Sequence, residues 1–318
     1  MQAGAVWEAL QRLLADNQLC DADWMAGCPV DHVTVPQRHV VLSADLDQSD
    51  ADRVFAKGWG RGWVDDDGMA AMGELMLYLA GQQHRTAFLN PLDVSQMCDS
   101  YINSWPKYAA AAMQGGLSRT VGLLNVWTPG TTNLEASGKK PNHWVFMGSV
   151  RADDGSVSLS FYDSCLGSGD IYTFSGAVST ASSSKFSHLR TKGVTSSIHN
   201  WQPQEWDISG YPAATVQQLH IVAAWHCSAW GCAEGAQVTV SIIGTGQQVE
   251  DGWMCGRWAV ANMGAWLNNS DEPQLLKSGD VAYALGKWLM VAATEPGLLP
   301  AGSKNYTRCK SGAFRQAV

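Results

Sequence analysis

The clearest hydrophobic patterning lies between residues 143 and 163. His143 to Val150 reads as a strand, Arg151 to Gly155 as a turn, and Ser156 to Asp163 as a second strand. In the second strand Val157, Leu159 and Phe161 alternate with Ser156, Ser158 and Ser160, and Asp163 falls in phase with the apolar face. Helical periodicity marks Met1 to Cys20, where Val6, Leu10, Leu13 and Leu14 recur among Glu8, Arg12 and Asp16. A helix from Gly68 to Ala80 carries Met69, Met72, Leu75, Met76 and Leu79 on one face, with Asp65 to Asp67 placed to cap it. Further along, the pattern predicts a helix over 95–114, a strand over 120–127, a helix over 213–230 and a strand over 237–243. It also predicts a helix from Cys255 to about Asn268, with Trp258, Ala261, Ala265 and Trp266 as its packed side, and a last helix over 279–293. His39 to Leu42 can form a strand within an otherwise helical N-terminal extension.

These elements divide the chain into an extension (1–57), one large domain (58–295) and a tail (296–318). Residues 167–212 are rich in Ser, Thr and Gly and read as a surface insertion with a short strand or two of its own.

Composition narrows the function classes. Hydrophobic residues make up 46% of the chain and charged residues 16%, which supports a buried core. The net charge of −8 and the lack of a basic run argue against nucleic acid as a partner. No stretch reaches the length of a membrane span, and the N-terminus lacks the uninterrupted apolar core of a signal peptide. The eight cysteines are irregularly spaced in a long chain, which points to a reducing, intracellular setting. The oligomeric state is not legible.

Four residues carry candidate chemistry. Cys255 opens a predicted helix, and a helix N-terminus favours a thiolate through its unpaired N–H groups and partial positive charge. A thiolate nucleophile needs an imidazole to accept and return protons, and the imidazole needs a carboxylate to hold its tautomer. His143 begins one strand of the hairpin and Asp163 ends the other. Residue 153, midway between them, lies inside the turn, so a longer loop or a bulge brings them abreast, whereas a two-residue Asp154-Gly155 turn pairs 143 with 166. Gln248, on the loop before Cys255, can supply an oxyanion donor beside the Cys255 backbone N–H, and the adjacent Gln247 leaves that choice open. A rival zinc reading uses His220, His226, Cys227 and Cys232, but they lack paired metal-ligand spacing.

His143-Trp144, Tyr162-Asp163-Ser164, Gln248 and Asp251-Gly252-Trp253-Met254-Cys255-Gly256, in that order, resemble the ubiquitin-like-protein-specific (SUMO, Ulp/SENP-type) cysteine proteases. They are also similar to the related adenovirus protease, adenain. Upstream, Trp63-Val64-Asp65-Asp66 resembles the opening of the SUMO-protease domain, and Phe88-Leu89-Asn90-Pro91 sits where the family has its next helix. The resemblance implies an α+β, papain-like fold of the Ulp/adenain type: a central, mostly antiparallel sheet with the nucleophile at a helix N-terminus. It implies a cysteine peptidase or isopeptidase that uses no cofactor and no metal, with Cys255 as nucleophile, His143 as base and acid, Asp163 as orienting carboxylate and Gln248 as oxyanion donor. Trp63, Asp65, Asp66, Trp144, Gly252, Trp253 and Gly256 would line the substrate cleft, which would take a small, Gly-rich tail of a ubiquitin-like modifier or similar polypeptide.

Three departures from the SUMO-protease pattern stand out. Met254 replaces an Asp, the Gln-to-Cys interval is adenain-like, and the stretch from Asp163 to Cys255 is long. A viral-type polyprotein protease, a same-clan acetyltransferase effector and an inactive module that binds a ubiquitin-like protein are the alternatives.

Overall fold

The computed structural model describes residues 63–64, 66–82, 84–91, 94–95, 107–132, 141–179, 200–201, 210–248, 252–279, 281–283, 285–286, 289, 306–308 and 314–316. The expected N-terminal helix, the strand at 39–42, Asp65 and most of the tail lie outside these residues. The chain forms two units, one of Arg85–Gly246 and one of Met1–His84 with Gln247–Val318.

The first unit is built on a mixed seven-stranded sheet ordered β1-β2-β3-β4-β7-β5-β6. Its strands are β1 (Thr86–Leu89), β2 (Arg119–Val126), β3 (His143–Arg151), β4 (Val157–Asp163), β5 (Ile171–Ser179), β6 (Asn200–Trp201) and β7 (Gln237–Gly244). The β1–β2 and β4–β7 pairs are parallel and the other four are antiparallel, so the sheet is mostly antiparallel as expected. Two helices, α2 (Lys107–Gln114) and α3 (Ala213–Ala229), share one apolar core with it.

Alternation explains the faces. In β4, Val157, Leu159, Phe161 and Asp163 are buried while Ser158 is exposed. In β7, Val238, Val240 and Ile242 are buried beside them, in register from Val157↔Val238 to Asp163↔Gly244. Each such aliphatic or aromatic side chain contributes about 1.5–3 kcal/mol on full burial.

Two strands depart from the sequence reading. Thr86–Leu89 is strand β1, parallel to β2, so Phe88-Leu89 does not stand at a helix. All four of its side chains are buried, and a short buried run has no periodicity to separate strand from helix. Within the Ser/Thr/Gly-rich stretch, β5 is a nine-residue strand of the main sheet, paired antiparallel with β7. Its hydroxyls meet across the ladder as Thr173–Ser241 and Ser175–Thr239, so a polar composition here marks an exposed sheet face.

One polar bridge crosses the core of this unit. Thr120 and Ser149 are direct cross-strand partners on β2 and β3, and their hydroxyls hydrogen-bond to each other. Thr120 Oγ1 also lies 2.8 Å from His226 Nε2 on α3, and His226 Nδ1 lies 2.7 Å from the Val222 carbonyl. A carbonyl only accepts, so Nδ1 carries the proton and Nε2 accepts from Thr120. Burial pushes the imidazole down to about 4.

The second unit contains α1 (Asp66–Leu79) and α4 (Cys255–Asn268), with a two-stranded ribbon of β8 (Tyr306–Arg308) and β9 (Phe314–Gln316). Helix α1 starts two residues before the expected Gly68, so Asp66 opens its first turn, where negative charge complements the helix dipole. Met69, Met72, Leu75 and Met76 are buried as the periodicity requires. Helix α4 has the expected bounds, but every residue from Cys255 to Leu267 is buried, so it has no solvent face. Small Gly and Ala positions at 256, 259, 261, 264 and 265 suit such close packing all round.

Two outcomes test this architecture. Stability should fall as pH drops from 6.5 toward 4, because the unfolded chain binds a proton at His226 that the folded core rejects. The loss attributable to this residue is about 3 kcal/mol, and urea titrations at stepped pH on the native chain and on His226→Gln would measure it. A second test is Gly244→Ala. An added Cβ would stand 2.2 Å from the Gly167 carbonyl oxygen and 2.8 Å from Leu166 Cβ, so the backbone must move. A loss of about 2–4 kcal/mol, read from the urea midpoint, is expected.

Candidate active site

The β3–β4 register fixes the hairpin geometry. Phe146 pairs with Tyr162 and Arg151 with Val157, so the same register carried on sets His143 opposite Cys165, with Asp163 two residues back along β4. The connection is a five-residue loop over 152–156. Ala152 N donates to Ser156 O, Gly155 N donates to Ala152 O, and Gly155 sits at φ +84°. Asp154 Oδ1 accepts from both Ser156 N and Ser156 Oγ, which holds the turn. This loop is longer than a two-residue Asp154-Gly155 turn, yet it does not set His143 and Asp163 abreast: Cys165 stands opposite His143, and the imidazole reaches Asp163 on the diagonal.

His143 and Asp163 are both buried, at 1% and 0% exposure, and Nε2 lies 2.8 Å from Oδ1. An ionised carboxylate only accepts, so Nε2 carries the proton and Nδ1 is left with its lone pair. That is the tautomer a general base needs. Asp163 collects further donors. Cys165 N donates to Oδ1 at 2.7 Å, an Asx turn that ends β4, and the Tyr211 hydroxyl donates to Oδ2. Burial opposes ionisation of this carboxyl, and the His143, Tyr211 and Cys165 donors outweigh it, holding the group below the usual carboxylate range.

The strand end itself is locked by two crossing loops. Thr245 N donates to Asp163 O, Gly246 N to Leu166 O, and Gly244 N to Asp170 O. Gly246 has φ +62°, and an added Cβ there would lie 2.8 Å from Ser168 N. Glycine at both positions lets the loop after β7 cross the loop after β4.

Cys165 was not among the expected site residues, yet its Sγ lies 3.7 Å from His143 Nδ1. Among the described residues, His143, Asp163 and Cys165 form the trio whose ligand-type atoms lie within 4.8 Å of one another. His220, His226, Cys227 and Cys232 form no such group. Both nitrogens of His226 are engaged, and Cys227 and Cys232 hydrogen-bond each other, which raises the Cys227 thiol and lowers the Cys232 thiol.

In the helical unit Cys255 is the first residue of α4 and is fully buried. Arg257 N and Trp258 N bond the Met254 carbonyl, closing the first turn. Gln247 is committed elsewhere: it exchanges two 3.0 Å amide hydrogen bonds with Asn262 of α4 and donates to Leu276 O at 2.6 Å. Gln248 is half-buried on the same segment. Among the other expected positions, Trp144 is buried at 3%, Trp63 is exposed at 47%, Gly252 is exposed and Gly256 is buried. Asp66 lies on the first turn of α1, and Trp253 packs its ring against Tyr283 at 5.6 Å.

The sequence reading also missed Arg257. Its guanidinium is buried 4.8 Å from the Trp253 ring and 5.2 Å from the Tyr283 ring, and burial brings it down to about 10. Gly286 leaves room for its stem, since an added Cβ would meet Arg257 Cγ at 2.9 Å. The signal available was a charged residue at a position the helical pattern turns inward; the aromatic partners lie near and far in sequence and could not be read from it.

No family model matches the chain, and no curated protein is similar to it. Among solved structures the chain is similar to one described as "SUMO protease Ulp1 with the catalytic cysteine oxidized to a sulfinic acid", with a TM-score of 0.44 and 11% identity over 80% of this chain and 99% of that chain. Among the described residues no helix is long and apolar enough to cross a membrane.

Gln247→Ala strips the buried Asn262 amide of its partner and should cost about 1–3 kcal/mol in urea unfolding.

Proposed function

We propose that this chain is a cysteine peptidase in which His143 and Asp163 act on Cys255. The observation that carries the reading is the buried His143–Asp163 hydrogen bond, with its proton on Nε2 and a basic Nδ1. A dry His–Asp pair at a strand end has a ready use in moving a proton to and from a nucleophile. Cys255 suits the nucleophile by its place as the first residue of α4, the position the motif gives it. Gln248 is assigned the oxyanion role by its interval to Cys255 in the motif.

The steps follow from these groups. Nδ1 takes the thiol proton as the sulfur attacks the carbonyl carbon. The oxyanion is met by the Gln248 amide and the Cys255 backbone N–H. The imidazolium then gives its proton to the leaving amine, and a thioester remains. Water, deprotonated by the same Nδ1, attacks the thioester carbonyl, and the collapse releases the carboxylic acid and regenerates the thiol. The substrate class we favour is a peptide or isopeptide bond after a small, Gly-rich tail of a ubiquitin-like modifier. The motif order from His143-Trp144 to Cys255-Gly256 supports that choice, with Trp63 and Trp144 as the cleft aromatics.

A second reading makes Cys165 the nucleophile, and the 3.7 Å approach of its sulfur to Nδ1 favours it. One experiment separates the two. Ubiquitin-like proteins carrying a C-terminal vinyl methyl ester are incubated with the native chain, Cys255→Ala and Cys165→Ala, and intact mass locates the adduct. Capture by the native chain and by Cys165→Ala, but not by Cys255→Ala, is the expected result. The reverse pattern assigns Cys165, and capture by none of the panel removes the ubiquitin-like substrate class. Asp163→Asn should slow capture about 10²–10⁴-fold by releasing the imidazole tautomer.

A further inference from the structure

The geometry points to Tyr211 as a positioning residue that sets the ionisation and orientation of the Asp163 carboxylate. This rests on the reading of Asp163 as the group that orients His143.

Three donors reach that carboxylate, and they divide between its oxygens. Oδ1 accepts from His143 Nε2 and from Cys165 N, while Oδ2 accepts from the Tyr211 hydroxyl. Tyr211 therefore governs the oxygen that the imidazole does not touch. A carboxylate held at one oxygen alone can rotate about its Cβ–Cγ bond; held at both, its plane is fixed, and with it the direction of the Nε2–H bond. The Tyr211 phenol is pushed well above its ordinary value by burial and by the Asp163 charge beside it, so it stays a donor over the whole working range.

The backbone holds Tyr211 to this task. On its N-terminal side, Gly130 N donates to Gly210 O at 2.6 Å, tying the segment to the loop after β2. On its C-terminal side, Pro212 caps α3, with Thr215 N and Val216 N bonded to its carbonyl. Thr215 Oγ1 in turn accepts from Trp127 N and donates to Trp127 O, one residue past the end of β2. Tyr211 thus sits in a short bridge clamped at both ends to the chain that runs next to His143, since β2 and β3 pair as far as Val126↔His143. The end of the stretch between β5 and α3 in this way returns a hydroxyl to the proton-transfer pair.

The test is Tyr211→Phe, which keeps the ring and removes the donor, with the Asp163 carboxyl followed by carbon-13 NMR in the free protein. Its titration midpoint should rise by about one pH unit, because the ionised form loses a hydrogen bond. The nitrogen-15 spectrum of His143 should show a weakened Nε2–H preference. Capture of the vinyl methyl ester probe by Cys255 should slow about tenfold at mildly acidic pH, with an unchanged circular dichroism spectrum. If the Phe variant folds poorly, 3-fluorotyrosine at 211, a stronger donor, should move the Asp163 midpoint in the opposite direction. An Asp163 midpoint that stays fixed in both variants overturns the inference. A native chain that captures no probe, while the midpoint still shifts, instead counts against the peptidase reading and leaves the Tyr211–Asp163 coupling standing.

Discussion

An ionised carboxylate in the interior of a protein is stable only where donors replace the water it gave up. Asp163 has no exposed surface, and that requirement organises the end of the sheet. It recruits the imidazole of His143 from the neighbouring strand, a backbone N–H from the turn it begins, and a phenol from the bridge ahead of α3. The chemistry of the site is a by-product of this solvation. The donor demanded from His143 is what leaves the opposite ring nitrogen basic.

The surrounding backbone serves the same end. Asp163 pairs with Gly244 across the parallel β4–β7 seam, and beyond it the two outgoing loops cross within contact distance. A side chain on residue 244 would push the crossing apart and carry the carboxylate with it. The missing Cβ at 244, and the left-handed Gly246 two residues on, are therefore steric conditions for the His–Asp pair.

Among the described residues a second buried histidine, His226, shows how the same residue type meets different partners. His226 has a carbonyl on one nitrogen and a hydroxyl on the other, with no carboxylate partner in that chain, and burial drives it to the neutral form. It ties α3 to β2 and β3 through Thr120 and Ser149. His143 instead has the Asp163 carboxylate on Nε2. One histidine bridges a hydroxyl and a carbonyl and the other meets a buried carboxylate, and the difference lies in what each nitrogen meets.

Local patterning along the chain was enough to determine β3, β4, β7, α3 and α4 to within a residue or two, because each has a period or a boundary residue that needs no distant information. It also brought His143 and Asp163 to one end of a hairpin, since a hairpin is a local structure, but the register that sets Cys165 opposite His143 and Asp163 on the diagonal needed the observed turn. The partners of Gln247 could not be read, because a reciprocal amide pair with Asn262 is a tertiary contact. Strands β1 and β5 escaped for related reasons, one being buried on both faces and the other polar enough to pass for a loop. Cys165 and Tyr211 needed the register of one hairpin and the clamp on α3 before their distances to His143 and Asp163 existed at all. Periodicity reports which way a side chain faces; only the closed tertiary structure decides which groups from remote segments must solvate a buried charge.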